Sequence, residues 1–115
     1  YKRQVEARYA VNLLGMTELS SQFYDNVLRD GSVAQRRKVN APWTATWALD
    51  PRTMRPCLPG EPGLLCHLDL ANIERPACIL SEDMGVQIGD GWTVLGRAPG
   101  LDARGCSLSI EALCR

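Results

Sequence analysis

Three stretches of this chain hold residue types that could act together on a charged substrate. The first is Leu14-Gly15-Met16-Thr17-Glu18. A glycine turn leading into Thr-Glu gathers backbone N–H groups, a hydroxyl and a carboxylate. N–H groups at a helix start suit a phosphate. The carboxylate would repel that phosphate unless a divalent cation lay between them, and magnesium keeps few protein ligands and takes the rest from phosphate and water. The same residues would equally begin an ordinary capped helix with Glu18 near its positive end. The second stretch is Ser81-Glu82-Asp83-Met84-Gly85. An Asp at a strand-end turn can accept two hydrogen bonds from a ribose diol, although Asp near Gly is also plain turn chemistry. The third runs from Leu95-Gly96-Arg97 to Arg104-Gly105-Cys106-Ser107. Arg97 and Arg104 could bind an anion or a nucleotide sugar, or face solvent.

The elements that must position these residues read as follows. Residues 2–9 suggest the tail of a helix. Val11–Leu14 is a short apolar run ending at Gly15, which predicts a strand entering a turn. Leu19, Phe23 and Val27 share one helical face after a Thr17 cap, with Gly31 as the stop. Gln35-Arg36-Arg37-Lys38 is a basic run in a loop, read as solvated surface. Strands follow at Thr44–Leu49, Gly63–Leu70, Ala77–Leu80, Val86–Ile88 and Trp92–Leu95, with Gly89-Asp90-Gly91 as a hairpin signal. Gly63–Leu70 alternates, Leu64, Cys66, Leu68 and Leu70 on one side and Leu65, His67 and Asp69 on the other. Ser107–Cys114 predicts a short helix capped by Ser107. The expectation is an α+β fold over residues 1–115: an N-terminal helix, a small antiparallel β meander or distorted barrel-like subdomain, and a short C-terminal helix.

Composition bounds the function. Among 115 residues, Lys plus Arg and Asp plus Glu each number 13, so the formal net charge is zero. That argues against a nucleic-acid arm or membrane-surface sheath. No apolar run approaches the ~18 residues of a membrane span. The five cysteines lack CxxC spacing and match no zinc-ribbon pattern, so they read as reduced thiols of a cytoplasmic protein. The chain opens on Tyr1, not Met, and reads as a piece of a longer one.

In order and spacing, Gly-Met-Thr-Glu, an Asp at a strand turn, and Gly-Arg a little further on resemble the acyl-adenylate-forming superfamily. The text is most similar to its acyl-protein synthetase branch, related to the bacterial luciferase fatty-acid reductase complex. Asn12–Asp25, Gly60–Leu70 and Leu95–Leu108 carry the likeness. The resemblance implies that this chain is the C-terminal portion of an ATP-dependent ligase. Thr17 would contact the α-phosphate of ATP, Glu18 would hold Mg2+, Asp83 would bind the ribose hydroxyls, and Arg97 would hold ribose or phosphate. Leu14 stands where the family has an aromatic residue, Ser81-Glu82-Asp83 replaces Thr-Gly-Asp, and Pro99 lies near the usual hinge Asp. The Gly/Ser/Thr-rich phosphate loop is absent from this chain, so the piece alone is expected to be inactive.

The implied reaction joins a fatty acid or other carboxylate to AMP, then passes the acyl group to a thiol. In this branch the thiol belongs to the enzyme. Cys106, after Arg104-Gly105 and before a helix start, has the surroundings a thiolate needs; Cys114 is the alternative. Cys57, Cys66, Cys78 and the single histidine, His67, show no local activation. Coenzyme A as acceptor, as in phenylacetate-CoA ligase relatives, is a second reading, and a non-catalytic β-rich interaction module a third. The named relatives imply an acyl-accepting reductase as partner.

Overall fold

The computed structural model describes residues 7–99. One antiparallel sheet dominates: β1 (Leu13–Leu14), β2 (Phe23–Asp25), β3 (Lys38–Val39), β4 (Thr44–Leu49), β5 (Gly63–Asp69), β6 (Cys78–Ile88) and β7 (Gly91–Arg97). The strand order is β1-β2-β3-β7-β6-β5-β4. β4, β5, β6 and β7 form a meander, and β7 then pairs with β3 to bring in the N-terminal strands. β1 and β4 are its two edges.

The inner face is built by alternation. Thr44, Thr46 and Ala48 of β4 and Leu65, His67 and Asp69 of β5 point inward and are buried. They meet Leu19, Phe23 and Trp92. Phe23, His67 and Trp92 pack ring to ring with centroids 5.0–5.2 Å apart, Phe23 and Trp92 edge to face, an arrangement the aromatic quadrupole favours. Asn40 Oδ1 accepts from Trp92 Nε1 and from Thr46 Oγ1, whose hydroxyl also lies 2.9 Å from His67 Nδ1. The opposite face carries Trp47, Leu64, Leu68 and Leu80, half-buried or exposed.

The α+β expectation is overturned. The only helix among the described residues, α1, is Val27–Asp30, closed by Gly31 in the left-handed region (φ 64°). Residues 7–9 are not helical, and the expected helix over 107–114 lies outside the described residues. The helical reading of 17–28 fails for a specific reason. Leu19, Phe23 and Val27 are indeed buried, but the N–H groups of Ser20 and Ser21 donate to the side chains of Asn72 and Asp69, not to carbonyls one turn back. The backbone therefore passes through a turn at 17–18 and a bend at 20–21 into β2, where burial alternates. The two strands expected at 77–80 and 86–88 are one, β6, with the residues between them inside it. Gly89-Asp90 does form the β6–β7 turn, with Gly89 at φ 58°, the sign of φ that a II′ hairpin needs at its first position.

Candidate functional site

Asp83 and Arg97 face each other. They are register partners in the β6–β7 ladder, so Asp83 lies in a strand and not in a strand-end turn. Arg97 Nε is 3.4 Å from Asp83 Oδ1, and Arg97 Nη1 donates to Glu82 Oε2 at 2.9 Å. Arg97 Nε is buried with no hydrogen-bond partner among the described residues. The pairing depends on a bulge: Met84 opposes Gly96, but Gly85 opposes Val94, so Leu95 is the extra residue. Gly96 takes φ 140° there, a conformation essentially reserved for glycine. Gly85 lets β7 and the Leu65 side chain of β5 close in, since a Cβ there would run into the Thr93 carbonyl oxygen and lie 2.7 Å from Leu65 Cδ2. The Leu-Gly-Arg text thus has a structural meaning: its glycine turns the arginine onto the acid.

Thr17 and Glu18 form an exposed turn, not a helix cap. Thr17 Oγ1 lies 3.3 Å from Glu18 Oε2. Their backbone is tied to the β5–β6 connection. Arg75 Nη1 donates to Thr17 O at 2.7 Å, and Asn72 Nδ2 to Glu18 O at 2.9 Å. Asn72 Oδ1 accepts from Ser20 N at 2.8 Å. Asp69 accepts from Ser21 N at 2.7 Å and from Ser21 Oγ at 2.9 Å. Burial pushes the Asp69 carboxyl up, but donors from Ala71 and Ser21 outweigh it and hold the group below the usual carboxylate range. Asp69, Asn72 and Glu82 are the residues that sequence reasoning missed. The signal was available for two of them: Asp69-Leu-Ala-Asn72 places short polar side chains at the end of an apolar strand.

The four candidate residues are brought together in pairs, not as one set. No hydrogen bond or ion pair among the described residues joins Thr17 or Glu18 to Asp83 or Arg97. Asp83 lies at the middle of β6, opposite the end of β7 at Arg97, whereas Thr17 and Glu18 lie against the β5–β6 connection. One groove, about 540 Å³, runs beside Ser20, Ser21, Tyr24 and Trp43. Another, about 100 Å³, is lined by Asp25, Arg36, Lys38 and Thr93 among others. Neither is lined by any of the four. Among the described residues no group of three or more His, Cys, Asp or Glu side chains suits a metal held wholly by protein.

Other charged, histidine and thiol groups among the described residues are engaged in pairing or packing. The basic run is not simply solvated: Arg36 pairs with Asp25 at 3.0 Å, and Arg37 with Asp90 at 2.7 Å and Asp30 at 3.2 Å. His67 is fully buried, and burial pushes its pKa down to about 4. Cys66 and Cys78 approach to 3.5 Å between sulfurs; burial and then the Cys78 thiol push Cys66 up to about 11, so it is a poor nucleophile at neutral pH. Burial also raises Cys57. Arg104, Cys106 and Cys114 lie outside the described residues. No helix among the described residues is long and apolar enough to cross a membrane.

Two curated proteins are similar in sequence. A long-chain-fatty-acid–luciferin-component ligase of Aliivibrio fischeri is 35% identical over 69 residues, covering 60% of this chain and 16% of that protein. One of the same name from Vibrio harveyi is 29% identical over 101 residues, covering 82% of this chain and 25% of that protein. The chain therefore spans a quarter or less of the length of these relatives. No solved structure matches it. The family described as acyl-protein synthetase, LuxE, matches residues 11–114, almost the whole chain. By that match this chain belongs to the LuxE acyl-protein synthetase family.

Proposed function

We propose that this chain serves as the C-terminal part of a longer ATP-dependent acyl-protein synthetase, which activates a fatty acid as its adenylate and moves the acyl group to a cysteine thiol. The observation that carries this reading is the Asp83–Arg97 pair, an acceptor and a cation fixed opposite each other by a glycine bulge. Asp83 accepts both hydroxyls of the ribose through its free lone pairs. Arg97, steadied by Glu82, orients Asp83 and adds positive charge beside the nucleotide. Thr17 donates its hydroxyl to the α-phosphate.

A single exposed carboxylate, Glu18, fits a magnesium ion that takes most of its oxygens from phosphate and water. Bound there, magnesium would offset the repulsion between two anionic reactants. Glu18 would hold the ion through its carboxylate, and Thr17 beside it would orient the phosphate. The acyl acceptor is Cys106 in this reading, with Cys114 and coenzyme A as the alternatives. The longer relatives' substrate name supports a long-chain fatty acid as the carboxylate. A reductase that takes the acyl group is the proposed partner, and the cytoplasm the proposed compartment.

The test is ATP–pyrophosphate exchange with a fatty acid by the full-length synthetase, using ATP and 2′-deoxy-ATP in parallel. Wild type should prefer ATP, and Asp83→Asn should raise KM for ATP about tenfold or more and erase the preference, as loss of one or two charge-assisted hydrogen bonds requires. Unchanged discrimination in Asp83→Asn would rule the ribose role out. A Cys106→Ser variant should still exchange pyrophosphate but fail to retain labelled acyl group; acyl-CoA formation with no labelled protein would favour coenzyme A.

A further inference from the structure

We infer that the β5–β6 connection, through Asn72 and Arg75 with Asp69 behind them, is the positioning device for the Thr17–Glu18 segment; this rests on the proposed metal-nucleotide role of that segment. The backbone of residues 17–21 has little support of its own. Its one local hydrogen bond runs from Leu19 N to Met16 O at 3.2 Å. The others come from side chains lying 48 to 58 residues further along the chain.

Asn72 is nearly fully buried and uses its whole amide on this task. Oδ1 accepts from Ser20 N, while Nδ2 donates to Glu18 O and to Pro76 O at 3.1 Å. The partners fix which atom is oxygen, since a backbone N–H needs an acceptor and two carbonyls need a donor. Asn72 thus clamps the carbonyl of Glu18 and the next-but-one amide at once. Arg75 fixes the preceding carbonyl, that of Thr17. Asp69, fully buried, holds Ser21 by backbone and hydroxyl and caps its own turn through Ala71 N at 2.9 Å.

Thr17 and Glu18 hold no side-chain hydrogen bond among the described residues except their mutual one. Where their hydroxyl and carboxylate stand is therefore set by the two carbonyls that Arg75 and Asn72 grip. Neither Asn72 nor Arg75 needs to touch the nucleotide. Each acts through the loop.

The full-length synthetase tests this with Mn2+ as the probe. Mn2+ binding in the presence of ATP, followed by the EPR signal of the free ion, reads the site without turnover. Asn72→Ala should weaken Mn2+ binding about tenfold, the effect of one lost buried hydrogen-bonding pair. KM for the fatty acid should stay within about twofold. Arg75 is exposed, so Arg75→Ala keeps the test open if Asn72→Ala does not fold; it should weaken Mn2+ binding by about threefold, and Arg75→Lys should restore it, since a lysine can still donate to Thr17 O. Glu18→Gln is the reference. If Glu18→Gln weakens Mn2+ binding and neither Asn72→Ala nor Arg75→Ala does, the positioning role is wrong while the metal role stands. If Glu18→Gln leaves Mn2+ binding at the wild-type level, the metal role falls and this inference with it. Equal losses in Mn2+ binding and in fatty-acid KM would mark a general structural fault and also overturn it.

Discussion

At the scale of single residues, polar groups in the core deserve as much weight as the candidate site. His67 is enclosed by Phe23 and Trp92, and its Nε2 has no hydrogen-bond partner among the described residues. A neutral imidazole can be stored this way, and an imidazolium cannot. The folded pKa near 4 lies below the unfolded value of about 6.5. Above pH 6.5 neither state carries the extra proton, and stability is at its full value. As pH falls from 6.5 to about 4 the unfolded state binds a proton that the folded state refuses, so stability drops. The loss totals about 3 kcal/mol and levels off below pH 4. Urea unfolding at pH 7 and pH 4.5 should show this loss in wild type and much less of it in His67→Phe; equal losses in both would mean that His67 is not the group responsible. Thr46→Val should cost about 1–3 kcal/mol at pH 7, because it strips His67 Nδ1 and Asn40 of a buried partner.

At the scale of elements, β4, β5, β7 and the short strand at Leu13–Leu14 were legible, whereas β6 was read as two strands and residues 17–28 as a helix. Alternation in Gly63–Leu70 correctly separated Leu65, His67 and Asp69 from Leu64, Cys66, Leu68 and Leu70, yet the more polar of the two sets is the one turned to the core. Alternation gives the period of a strand; which face is covered depends on what packs there, here Phe23 and Trp92. The candidate site was legible as residue types: Asp83 and Arg97 were singled out, but their contact depends on a bulge that periodicity does not announce. Gly96 is the residue to test. Gly96→Ala meets no steric neighbour, so its effect is backbone strain alone, about 1–3 kcal/mol. In the full-length synthetase it should raise KM for ATP about as much as Arg97→Ala does, with a smaller effect on fatty-acid KM. A melting temperature and an ATP KM both at the wild-type values would show that the bulge does not hold Arg97 in place.

At the scale of the whole molecule, the sheet carries apolar side chains on both faces, with Trp47, Leu64, Leu68 and Leu80 outside the core cluster. The chain alone should give no ATP–pyrophosphate exchange, and measurable exchange by the 115-residue chain would contradict the proposal that it works as part of a longer catalyst. The sequence by itself determined β4, β5 and β7 of the meander, the β6–β7 hairpin and the residue types that pointed to the family. Those rest on neighbouring residues: side-chain period, glycine at turns, and short motifs in order. Only the tertiary structure decided the path of residues 17–21, the long unbroken β6 and the meeting of Asp83 with Arg97. In 17–28 local spacing favours a helix, but Asp69 and Asn72 capture the amides that a helix would need, and acceptors so distant along the chain leave no trace in the local pattern that a helix reading uses.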